Sequence, residues 1–155
     1  MKLTEQKYAD VSDVKVSFFT SRLECHPWEN HDDLLVISYK SQSDVNSRDL
    51  CFMDAMRLSA SVVWRPAAII LDFRELFYKW GDTMEYLFQT PYPSTELQKI
   101  FEGDSKTPFP IVAVISDKCR SGMTSLVRQE MASDPSTILF ETIEEAVAAI
   151  EARLH

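Results

Sequence analysis

The run Ala67-Ala68-Ile69-Ile70-Leu71-Asp72-Phe73 is apolar at every position but one. A strand-length stretch without alternation must be covered on both faces, which is the environment of a central strand in a parallel sheet. Parallel neighbours need a crossover long enough for a helix, so this segment alone points to an α/β chain. Pro110-Ile111-Val112-Ala113-Val114-Ile115 repeats the pattern, and Leu34-Leu35-Val36-Ile37-Ser38-Tyr39 comes close to it. Val14-Lys15-Val16-Ser17-Phe18 alternates apolar and polar instead, as a half-buried strand does. Thr137 to Phe140 reads as a short last strand.

Helical patterns fill the intervals. The spacing predicts a helix over 47–64, with Cys51, Phe52, Ala55, Met56, Ser59, Val62 and Val63 facing inward and Asp49, Asp54, Arg57 and Ser61 outward. Asn46 or Ser47 can cap its first turn, and Pro66 prevents its continuation. Short helices are expected from Gly81-Asp82 to about Phe88, from Thr95 to Phe101, and from Ser121 to Met131. Thr142-Ile143-Glu144-Glu145 has the residues of a capping box, opening a final helix that buries Ile143, Val147, Ile150 and Leu154. The expectation is one α/β domain over 1–155: a mostly parallel sheet built from βαβ units, with flanking helices.

Charge and cysteine content narrow the function classes. Twenty-four acidic residues against 16 basic ones give a formal charge of −8. A nucleic-acid partner is disfavoured, because phosphate binding needs a basic stripe. No apolar stretch approaches the ~20 residues of a membrane helix, and the amino-terminal Met1 to Lys7 has no apolar core of a secretory signal. Cys25, Cys51 and Cys119 are odd in number and widely spaced, which suits a reducing compartment, so a cytoplasmic address is expected. Three glycines in the whole chain leave little room for a phosphate-binding loop.

From about Leu34 to Glu130 the order of elements resembles the enoyl-CoA hydratase (crotonase) family. Leu35-Val36-Ile37-Ser38 followed by Val45-Asn46-Ser47 and a long helix matches that family's opening. Phe77-Tyr78-Lys79-Trp80-Gly81-Asp82 resembles its Phe-x-x-Gly-x-Asp loop, with the glycine displaced by one. Pro110-Ile111-Val112-Ala113 and Ser121-Gly122-Met123 resemble its Pro-x-x-Ala and triple-glycine segments. The resemblance implies that Lys79 and Gly122 occupy the positions whose backbone N–H groups would form an oxyanion hole. Ser121 and Met123 replace two of the three glycines, and Ser125 stands where hydratases carry a glutamate, so these positions are expected to be vestigial. The chain also ends before the family's long carboxyl-terminal helical part.

A second resemblance is to regulatory domains of the anti-sigma antagonist (STAS) kind. Ile69-Ile70-Leu71-Asp72 before a loop and helix fits it, as does Phe140-Glu141-Thr142-Ile143-Glu144-Glu145-Ala146. That family implies a phosphorylatable Ser or Thr after the Asp strand, and Thr83 is the nearest.

Other groupings weigh less. Cys25, His26, Glu29, His31, Asp32 and Asp33 are all ligand types, yet their spacing matches no closed tetrahedral site, and no metal or cofactor is expected. Lys118 and Arg120 flank Cys119, and adjacent cations favour a thiolate. A Cys after a strand is more often simply packed. Asp72 at a strand end is read as structural, pairing with Arg74, ahead of any ligand role. Tyr78, Trp80, Tyr86, Phe88 and Tyr92 crowd a segment near the sheet's carboxyl edge, and a contact surface and a buried core are equally weighted readings of the group. The expected function is therefore a non-enzymatic protein-binding domain, in its most specific form a bacterial immunity-type protein that neutralises a basic toxin. Glu29, Asp32 and Asp33 would steer the partner, and Trp28, Tyr78 and Trp80 would anchor it. The alternatives are a degenerate hydratase or isomerase on an acyl-CoA and a STAS-like regulator.

Overall fold

The apolar runs do become the centre of a sheet. In the computed structural model, which describes residues 1–24, 34–80, 82–91 and 109–154, five strands lie side by side in chain order. They are β1 (Lys15–Ser21), β2 (Leu34–Lys40), β3 (Ala68–Glu75), β4 (Ile111–Val114) and β5 (Leu139–Phe140). β1 pairs antiparallel with β2, and the other neighbours are parallel. The expected α/β class, with a mostly parallel sheet and flanking helices, is what the chain adopts.

Side-chain alternation along each strand divides the core into two layers. Leu35, Ile37, Ile69, Leu71, Phe73 and Ala113 face one way, under α1 (Ser47–Trp64) and α2 (Arg120–Gln129). Leu34, Ala68, Ile70, Val112 and Val114 face the other way, under α3 (Ile143–Leu154). β3 and β4 are buried on both sides, as their unbroken apolar sequences require.

Helix ends follow the local chemistry. Asn46 Oδ1 accepts from the Asp49 amide at 2.9 Å, while Asp49 Oδ2 accepts from the Asn46 amide at 3.0 Å. The reciprocal pair fixes the start of α1. At its far end Arg65 adopts a left-handed conformation with φ 49°, and Pro66 follows. The capping box of α3 also forms: Thr142 Oγ1 accepts from the Glu145 amide at 3.2 Å, and Glu145 Oε2 accepts from the Thr142 amide at 3.3 Å.

The face that α1 buries differs from the expectation. Leu50, Met53, Arg57, Ala60 and Ser61 are inside, whereas Cys51, Ala55, Val62 and Val63 are exposed. The apolar residues of this helix are spread around its circumference, so periodicity does not select a side. A long-range polar contact does. Arg57, 2% exposed, donates Nη1 to the Gln89 carbonyl at 2.7 Å and Nη2 to the Tyr86 carbonyl at 3.1 Å. Nε and Nη2 also reach Asp54 Oδ1, at 3.1 and 2.8 Å. A buried guanidinium needs such partners, and the two carbonyls lie on the 3-10 helix Asp82–Phe88 and the residue after it.

Candidate functional site

At the carboxyl ends of β3 and β4 the chain forms the loop 76–80, which several neighbours brace. The Phe77 amide donates to Ser41 Oγ at 3.0 Å, and the Phe77 carbonyl accepts from the Val45 amide at 3.1 Å. The Tyr78 amide donates to the Lys118 carbonyl at 3.4 Å. Lys118 Nζ pairs with Glu75 at 3.0 Å and lies 5.2 Å from the Phe77 ring centroid. Lys79 Nζ approaches Asp44 at 3.4 Å. The loop is thus tied both to the β2–α1 connection and to the β4–α2 connection.

Gly122, in the first turn of α2, completes the bracing by close packing. A Cβ at that position would sit 2.6 Å from the Lys79 carbonyl oxygen and 2.8 Å from Tyr78 Cδ1. The two positions of the expected vestigial oxyanion hole are therefore brought together, in a packing contact. An oxyanion hole needs two N–H donors aimed at open space. Here a carbonyl, which is an acceptor, presses on the Gly122 Cα. The glycine is required for backbone packing.

Beside this contact is a cleft of about 300 Å³ lined by Tyr78, Trp80, Gly122, Ser125, Leu126, Gln129 and Glu130. The two aromatics expected as anchors separate here. Tyr78 is 2% exposed and belongs to the core, because its ring packs under α2, so it is not a surface anchor. Trp80 is 83% exposed on the rim. Of the remaining aromatics, Phe88 is half-buried against the Phe73 ring at 6.3 Å, and Tyr86 is exposed. Tyr92 and the loop residues Trp28, Glu29, Asp32 and Asp33 lie outside the described residues, as do Cys25, His26 and His31. So does the helix expected over 95–101. Thr83 falls in the first turn of the 3-10 helix, with its side chain outside the described set.

On the opposite layer, Asp72 is paired as its sequence position suggested. Arg74 donates Nε to Asp72 Oδ1 and Nη2 to Asp72 Oδ2, each at 2.9 Å, and Ser38 Oγ donates to Oδ2 at 3.0 Å. Burial raises the carboxyl's pKa, but the Arg74 side-chain and backbone hydrogen bonds, its charge and the Ser38 bond outweigh this and hold it below the ordinary carboxylate value. Cys119 is packed, as a Cys after a strand more often is, and the flanking cations do not make it a thiolate. Burial pushes the thiol up, against a smaller lowering by the Ser116 hydrogen bond and the Arg120 charge. Its Sγ instead donates to the Phe73 carbonyl at 3.4 Å. Sequence reasoning missed Arg57 and Ser41 as organisers of this edge. Their partners lie about 30 or more residues away, as the separations 32 and 36 record, so no local signal marks them.

No described helix is long and apolar enough to cross a membrane. Among the described residues no group of three His, Cys, Asp or Glu is arranged to hold a metal. Comparison with protein-family models finds no match, and comparison with curated proteins finds none either. Among solved structures the chain is similar to an anti-sigma factor antagonist from Mycobacterium paratuberculosis. Identity is 13%, the TM-score is 0.48, and the match covers 88% of this chain and 94% of that one.

Proposed function

We propose that this chain is a non-enzymatic, STAS-like regulatory domain that binds a protein partner through the face formed by loop 76–80 and α2. The observation that carries the reading is the display of Trp80. A large aromatic stands 83% exposed at the end of a loop that is hydrogen-bonded to two neighbouring connections and packed on Gly122. An aromatic on a rigid support loses little entropy on binding, and such residues carry most of the energy of protein interfaces. The regulatory character is supported by the Ile69 to Asp72 strand leading into this loop and by the Phe140 to Ala146 ending, the segments that resemble STAS domains. A second reading, a protein-binding domain of the immunity type against a basic toxin, has as its support the net charge of −8, which favours a cationic partner over an anionic one.

The test begins by co-purifying the tagged chain with the product of a neighbouring gene. The affinity of that complex is then compared between the wild type and Trp80→Ala. A hot-spot tryptophan is worth at least ~2 kcal/mol, so the dissociation constant should rise by about thirtyfold. An unchanged affinity would remove this face from the interface. Turnover of an acyl-CoA thioester by the purified chain would overturn the non-enzymatic reading.

A further inference from the structure

The cleft beside Trp80 has three kinds of wall. Its floor is apolar or backbone, from Tyr78, Gly122 and Leu126. Its polar side carries Ser125, Gln129 and the carboxylate of Glu130, all exposed on α2 or the residue after it. The indole of Trp80 borders the opening. Among the described residues, neither the Trp80 ring nor the Glu130 carboxylate takes part in a ring contact, ion pair or side-chain hydrogen bond. The nearby cations behave differently. Lys79 is engaged with Asp44, and Lys118 with Glu75.

We infer that this cleft receives an arginine side chain of the protein partner. The inference rests on the protein-binding reading above and names the chemistry it would recognise. Arginine matches each wall in turn. Its methylene stem covers apolar floor. Its planar guanidinium stacks on an indole face, where the ring quadrupole attracts a cation. Its fork of N–H donors meets acceptors on Glu130, Gln129 and Ser125, the carboxylate supplying the opposite charge. A lysine would meet the carboxylate but has no plane to stack, and an acidic side chain would face Glu130 and the charge of −8. A cleft of about 300 Å³ has room for one such side chain and not for a folded element.

The probe is N-acetyl-arginine amide, with N-acetyl-citrulline amide as its uncharged isostere, titrated into the full chain labelled with nitrogen-15. The indole N–H resonance of Trp80, identified by its loss in Trp80→Phe, reports occupancy. The arginine probe should shift it saturably. Citrulline, and arginine with Glu130→Gln, should each bind about two- to fivefold more weakly, the size of one exposed charge pair. Dispersion of the remaining resonances checks that the variant is folded. Equal affinities for the two probes, an unchanged affinity in Glu130→Gln, or no movement of the Trp80 resonance would each overturn the inference. These failures say nothing against the protein-binding reading, which fails separately if Trp80→Ala leaves the partner complex unchanged.

Discussion

Replacing Gly122 by alanine tests the packing that supports the candidate site. The new methyl would lie 2.6 Å from the Lys79 carbonyl oxygen, 2.8 Å from the Lys79 carbonyl carbon and 2.8 Å from Tyr78 Cδ1. Carbon–oxygen contacts settle near ~3.3 Å or beyond, so the first pair is roughly 0.7 Å too close. Two of the three atoms are backbone, which no rotamer change can move. The loop cannot easily retreat, because Phe77 is bonded to Ser41 and Val45, and Tyr78 to Lys118. Overpacking of this kind costs ~1–3 kcal/mol, and the higher helix propensity of alanine returns at most ~1 kcal/mol. A net loss of about 1–2 kcal/mol is expected, or roughly 3–6 °C in Tm for a chain of this size. Urea denaturation should show a lower midpoint with an unchanged slope, while Ser125→Ala, exposed on the same helix, stays within ~0.5 kcal/mol of wild type. If Gly122→Ala proves as stable as the wild type, the glycine is not there for packing and the account of the braced loop is wrong.

Three further outcomes follow from the buried polar groups. Arg57→Met leaves the Tyr86 and Gln89 carbonyls and Asp54 without their guanidinium, and should cost about 3 kcal/mol in denaturant titration, with faster amide exchange over residues 84–90. A loss under ~1 kcal/mol would show that water or another donor replaces it. Asp72 has its folded pKa depressed, so its contribution is present above the ordinary carboxylate value of ~3.9 and is lost as pH falls through the lower folded value. Stability of Asp72→Asn should accordingly lie below wild type at neutral pH and converge on it in acid; parallel curves would contradict the assignment. Alkylation followed by mass spectrometry should modify exposed Cys51 in the folded protein and buried Cys119 only on unfolding, since burial disfavours its thiolate.

What was legible in the sequence is what local physics controls. Leu34, Ala68 and Ile111 begin their strands because unbroken apolar runs have one solution in a covered sheet. Asn46, one of two candidate caps, and Thr142 with Glu145 mark helix starts because a cap needs only residues close in sequence. The buried side of α1 was not legible. Its apolar residues surround the axis, and the choice is made by Arg57 reaching carbonyls 29 and 32 residues later. The same holds for Tyr78 and Trp80, neighbouring aromatics with opposite fates. Tyr78 is captured by a glycine on a helix that begins at Arg120, and nothing within the loop's own sequence records that.

Exposed apolar area occurs elsewhere, and comparing the two places explains why the loop is the stronger candidate. Val62, Val63 and Trp64 end α1, and Phe19 lies on the edge strand β1. There Trp64 is 5.4 Å from the half-buried Phe18 ring, so much of its surface already covers the core. Lys15 opens β1 and Arg22 follows its end, and charges at an edge strand oppose strand-to-strand association. Trp80 has no such employment among the described residues, yet its support is held by Ser41, Val45, Lys118 and Gly122. Fixing the loop does nothing for the burial of an indole that stays in solvent. On the proposed reading, rigid support for an exposed aromatic means that the contact surface is in place before a partner arrives.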